Sequence, residues 1–231
     1  MMRKSKIKKL SNNYKKQILR DVFILSQRDI DDITRNVIPP KKGDKLFMES
    51  NKPSDPRIML LATDNDIYFE QGYASTVIFL LNIVEFGKNY LRKDSYIYPA
   101  IFCMRMYLEV IMKLILTNNH IEVTGDKHNL KTLWSKVKDT LTQEDVNETV
   151  EGVEQIVLEL QQCDPLATAF RYPKKLNTLY EKRKTKDIGT LIDIRILRER
   201  FLQLYRFFDG LYDLSIVNLT PVRDNRVSYT I

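Results

Sequence analysis

The chain has 231 residues, 43% of them hydrophobic, and a formal net charge of +7, which is enough to bury one good core with a small appendage. Seven glycines and eight prolines are few for this length and argue against an all-β sandwich or barrel with its many turns. Cys103 and Cys163 are the only cysteines, too few and too far apart for a disulfide framework or a zinc pattern.

Residues 1–20 hold eight Lys and Arg and no acid. The net charge of +7 less those eight leaves −1 for the rest, so the basic balance reports largely on one end of the chain. The opening MMRKSKIKKLSNNYKK lacks the apolar centre of a signal peptide and reads as a basic arm. From Lys15 to Asn36, the apolar positions Ile18, Val22, Leu25, Ile30 and Ile33 fit a weak helix. Pro39–Arg57, rich in proline and charge, is a linker or a lid. The expected organisation is an arm, weak helix and linker over 1–57, a helical bundle over 58–220, and an extended tail over 221–231.

Asp64 or Asp66 is placed to cap a helix through Ile67–Leu91, whose centre VIFLLNIVEF is apolar enough to be buried. A turn over Arg92–Tyr98 is expected to lead to Pro99 at the first position of a second helix, where a missing N–H is harmless, and that helix should end near Asn118–His120. Tyr73–Phe86 is too short to span a bilayer and Tyr98–Leu116 carries central charges. The chain is therefore expected to be soluble and cytoplasmic, with no membrane partner.

Past a loop containing Thr124-Gly125-Asp126, a short helix is predicted over Asn129–Leu141, with Leu130, Leu133, Trp134 and Val137 facing inward. Thr142 can cap the next, where Val146, Val150, Val153, Ile156, Val157 and Leu160 recur at helical steps until Asp164-Pro165 stops it. Leu166–Leu191 is irregular and basic, with Arg171, Lys174, Lys175, Lys182, Arg183, Lys184 and Lys186. A last helix over Asp193–Leu214 repeats Ile194, Leu197, Phe201, Leu204, Phe208 and Leu211 as a seam that closes the bundle or builds a homodimer. The fold class is all-α, with about five helices.

Within YPAIFCMRMYLEVIMKLIL and the threonine that follows it, almost the only polar groups are Arg105, Glu109, Lys113 and Thr117, four residues apart on one slowly winding stripe. A helix that is apolar nearly all round lies inside a protein, so its charges must find partners or line a wet cleft. Two readings stand: a self-neutralising ladder, since Glu109 precedes Lys113 in the favourable orientation, or a functional cleft. His128, just before a helix start, either caps it or faces the cleft as a proton-transfer group. Arg171, between Phe170 and Tyr172, either clamps an anion bidentately or pairs with Glu109.

Together, YPAIFCMRMYLEVIMKLIL, GDKHNLKTLW and DPLATAFRYP resemble HEPN-like helical proteins of prokaryotic and phage-related systems, over roughly residues 66–215. The resemblance implies a four- or five-helix bundle that often dimerises and serves in antiphage defence or toxin–antitoxin systems. It implies RNA or a nucleotide-like anion as ligand and a partner protein of the same system, with no cofactor and no metal. Ribonucleases of that superfamily place a histidine four to six residues after an arginine and cleave RNA without metal, leaving a 2′,3′-cyclic phosphate and a 5′-hydroxyl. This chain departs from that spacing, because its histidines are His120 and His128 and the arginine preceding them is Arg105. A site rebuilt in three dimensions would take Arg105, Glu109, His128 and Arg171 as catalytic residues, with Lys113, Tyr172, Lys174 and Lys175 binding substrate.

No Gly-rich phosphate loop, metal-ligand spacing or Gly-x-Ser-x-Gly elbow occurs. The competing expectations are a non-catalytic interaction module, in which the stripe is structural, and a DNA-binding regulator using the arm, for which no recognition helix is evident.

Overall fold

The computed structural model describes residues 34–42, 66–87, 90–142, 148–172 and 192–219. The basic arm, nearly all of the weak N-terminal helix, most of the linker, Lys174, Lys175 and the tail over 221–231 lie outside the described residues. The chain divides into the units Met1–Asp64 and Asn65–Ile231. In the first, the described stretch is an exposed turn in which Val37 N–H donates to the Thr34 carbonyl at 3.0 Å.

The second unit is an all-α bundle: α1 (Asp66–Phe86), α2 (Tyr90–Asn118), α3 (Leu130–Lys138), α4 (Glu148–Cys163), a short 3-10 turn (Ala169–Arg171) and α5 (Ile194–Leu219), with no strand among the described residues. No described helix is long and apolar enough to cross a membrane. α2 is the axis, packing along α1 and touching α3, α5 and the 3-10 turn, while α3 also packs on α4 and α1 on α5.

The central position of α2 follows from its sequence. Ala100, Ile101, Met104, Tyr107, Leu108, Ile111, Met112, Leu114, Ile115 and Leu116 are all buried, and each fully buried large side chain is worth roughly 1.5–3 kcal/mol. Aromatic rings join the layers: Tyr107 meets Phe201 edge-on at 5.4 Å and Trp134 meets Phe208 at 5.9 Å. The expected inward face of α3 is the observed one, with Leu130, Leu133, Trp134 and Val137 buried. The seam of α5 is spent within the fold at Phe201, Leu204 and Phe208.

Several boundaries differ from expectation, each for a local reason. α1 ends at Phe86 rather than Leu91. Gly87 N–H donates to the Ile83 carbonyl at 2.8 Å, and a Cβ on Gly87 would stand 2.5 Å from that oxygen, so only glycine fits the approach. Pro99 does not open α2 but lies inside it. One lost backbone hydrogen bond is outweighed there by apolar packing on both sides. At the far end, Ile121 N–H donates to the Leu116 carbonyl at 2.9 Å, with His120 in the left-handed region at φ 56°, a helix stop usually made by glycine. α3 stops at Lys138, short of Leu141, and α5 continues to Leu219, past Leu214.

Candidate functional site

The polar stripe of α2 is buried at its centre: Arg105 is 0% and Glu109 3% exposed. Arg105 uses each edge of its guanidinium. Nε donates to the Asp164 carbonyl at 3.0 Å, Nη1 to Glu109 Oε2 at 3.1 Å and Nη2 to the His128 carbonyl at 2.7 Å. One planar fork thus ties α2 to the loop before α3 and to the loop after α4, a task for which a lysine point charge has the wrong geometry.

Glu109 is the second hub. Its Oε1 accepts from Lys113 Nζ at 2.8 Å and faces His128 Nδ1 at 2.7 Å. Burial pushes its carboxyl up, but hydrogen bonds and charge from Lys113 and His128 outweigh that and hold it below the usual carboxylate range. An ionised carboxylate only accepts, so Nδ1 carries the proton of the neutral ring and the lone pair rests on Nε2. The His128 side chain is 73% exposed, and Nε2 has no partner among the described residues.

The loops that deliver these groups are set by their own residues. Asn129, not His128, caps α3, its side chain accepting from Lys131 N–H and Thr132 N–H. Leu130 N–H donates to Gln161 Oε1 at 2.8 Å, tying the start of α3 to α4. Beyond α4, Asp164 Oδ1 accepts from Thr168 N–H at 2.7 Å and Ala169 N–H at 2.9 Å, which winds the 3-10 turn. Asp164 Oδ2 is buried and has no partner among the described residues. Ala167 sits in the left-handed region at φ 53°, a strained state for a residue with a Cβ, and its carbonyl accepts from Arg171 Nε at 2.8 Å.

Arg171 does not pair with Glu109, whose partners are Arg105, Lys113 and His128. Its guanidinium lies over the Phe102 ring, 5.5 Å from the centroid, and over the Tyr172 ring at 5.6 Å. Phe102 precedes Glu109 by seven residues on α2, so the two share a helix face. Arg105, Glu109, Lys113 and His128 are therefore in direct contact, while Arg171 and Tyr172 stand at the Phe102 end of the same stripe. Lys174 and Lys175 lie outside the described residues.

Two residues of the site, Asp164 and Phe102, are not singled out by sequence reasoning. Asp164 reads there as a helix stop alone, although an Asp followed by a reversing loop is a natural acceptor for the next turn's N–H groups. Phe102 has the pattern of core, and its i+7 relation to Glu109 is the available signal. Among the described residues no group of three or more His, Cys, Asp or Glu side chains is arranged to hold a metal ion. Comparison with family models, with curated proteins and with solved structures returned no match.

Proposed function

We propose that this chain is a HEPN-like component of an antiphage defence or toxin–antitoxin system that binds RNA and cleaves it without metal through Glu109 and His128. The observation supporting this reading is the 2.7 Å contact between His128 Nδ1 and Glu109 Oε1, with an imidazole 73% exposed to solvent. A buried carboxylate that orients an imidazole and leaves Nε2 outward is the arrangement a general base needs. In the proposed reaction Nε2 takes the proton of a ribose 2′-hydroxyl and O2′ bonds to phosphorus. The P–O5′ bond breaks and the 5′ oxygen takes a proton from solvent. The products are a 2′,3′-cyclic phosphate and a 5′-hydroxyl. Lys113, 33% exposed, sits beside the pair to balance charge on the phosphate.

The test is cleavage of tRNA and mRNA in chelator, with end groups mapped. Wild type should leave cyclic phosphate ends, and His128→Ala should slow cleavage by about 10²–10⁴-fold, the range for a lost general base. Absence of cleavage, or equal rates in both proteins, contradicts the enzymatic reading.

A second reading, a non-catalytic docking module of a defence complex, draws support from Arg105, each of whose three guanidinium nitrogens donates to a group within the fold, as in a purely structural network. Under it, His128→Ala leaves RNA untouched and the partner protein still binds.

A further inference from the structure

We propose that Phe102, Arg171 and Tyr172 form a second subsite, specific for unpaired RNA, that takes a phosphate and its base two to three nucleotides from the Glu109–His128 pair. This rests on the RNA reading of the site and deepens it by naming the strand form.

Arg171 Nε is engaged by the Ala167 carbonyl at 2.8 Å, and its guanidinium is oriented over two aromatic rings. No acid pairs with it among the described residues. A guanidinium held by stacking and by its Nε presents its two terminal amines as a preset fork for a phosphate. Tyr172 is 52% exposed and offers a face on which a base can stack. A base reaches such a face only when it is unpaired and splayed from its neighbours, which is how single-stranded RNA is recognised. A duplex keeps the faces of its bases stacked inside, where an aromatic ring cannot reach them.

The spacing follows from the helix. Phe102 and Glu109 are seven residues apart on one face of α2, roughly 10 Å along the axis. That is about three stacked nucleotides at ~3.4 Å each, and fewer on an extended strand. Lys113 continues the stripe one turn beyond Glu109. The acid–base pair thus lies between two cations on a linear track, and a short strand laid along it would contact both.

The experiment measures binding of the full chain to fluorescein-labelled 2′-O-methyl RNA, which has no attacking hydroxyl, as a mononucleotide, a hexamer and a blunt hairpin closed by a polyethylene glycol linker in place of a nucleotide loop. Arg171→Ala and Tyr172→Ala should each weaken the hexamer about tenfold, within the range for one stacked base, and the mononucleotide should bind wild type more weakly than the hexamer does. Tyr172→Phe should keep hexamer affinity, Arg171→Lys should restore only part of it, and the hairpin should bind more weakly than the hexamer. Hexamer affinity unaltered in both alanine variants, a hairpin bound as tightly as the hexamer, or no binding to any of the three overturns the subsite. Circular dichroism of each variant, with the conservative Tyr172→Phe and Arg171→Lys proteins, separates a lost contact from a lost fold. If the length and strand effects appear but wild type never cleaves natural RNA, the subsite stands and the catalytic reading falls. If wild type cleaves natural RNA without those effects, the catalytic reading stands and the subsite falls.

Discussion

Two carboxylates buried on neighbouring helices titrate in opposite directions. Glu109 is held below its usual range by Lys113 and His128 despite the opposing effect of burial. Its contribution to stability is complete at neutral pH and is lost as pH falls through its folded value. Glu70 on α1, 4% exposed, is pushed from 4.5 to about 7, first by burial and then by the charge of Asp209. Between those values the folded protein holds a proton that the unfolded chain has released, so stability declines as pH rises through that window. Glu70→Gln should therefore stabilise the protein by about 2 kcal/mol at pH near 8 and have little effect near pH 4.5, as read by urea titration at both. Glu109→Ala strands Arg105 and Lys113 and should cost on the order of 3 kcal/mol, because the network is buried. A surface pair would lose under about 1 kcal/mol, and equilibrium unfolding separates the two. Arg105→Lys should not restore wild-type stability, since one ammonium cannot serve the Asp164 carbonyl, Glu109 and the His128 carbonyl together.

At the scale of the element, legibility tracks how local the deciding physics is. The inward face of α3, the seam of α5 and the stop at Asp164 depend on spacing within one helix, and all three are as expected. The place of Pro99 depends on neighbouring helices, and the end of α1 on a backbone approach that the spacing of apolar residues does not show. The Gly87 approach is set by the Ile83 carbonyl 2.5 Å from where a Cβ would stand, and the proline is carried by the apolar surface that α2 buries. The loop before α3 shows both kinds of control. Asn129 caps the helix by local chemistry, while His128 beside it is placed by Arg105 and Glu109 from another helix. Asn129→Ala should cost about 1 kcal/mol by thermal melting. It should also loosen the His128 loop, seen as faster amide exchange at Lys131 and Thr132, whose N–H groups donate to the Asn129 side chain.

Across the whole molecule, three stretches far apart in sequence meet through one arginine. The α2 stripe is legible because charges in an apolar run demand partners, and of its two readings the ladder is the one its contacts show. The ladder is real at Arg105, Glu109 and Lys113, and His128 adds to it a group that faces out. What the sequence leaves open is the division of labour. From spacing alone Arg171 is as plausible a partner for Glu109 as His128, and only the path of the loop after α4 carries its guanidinium to Phe102 instead. The proposed chemistry turns on Glu109 aiming the imidazole. The most direct measurement is the ¹⁵N shift pair of the neutral His128 ring by NMR. Wild type should show a protonated Nδ1 and a bare Nε2, with that preference lost in Glu109→Gln. A proton on Nε2, or the same tautomer mixture in both proteins, would contradict the aiming role.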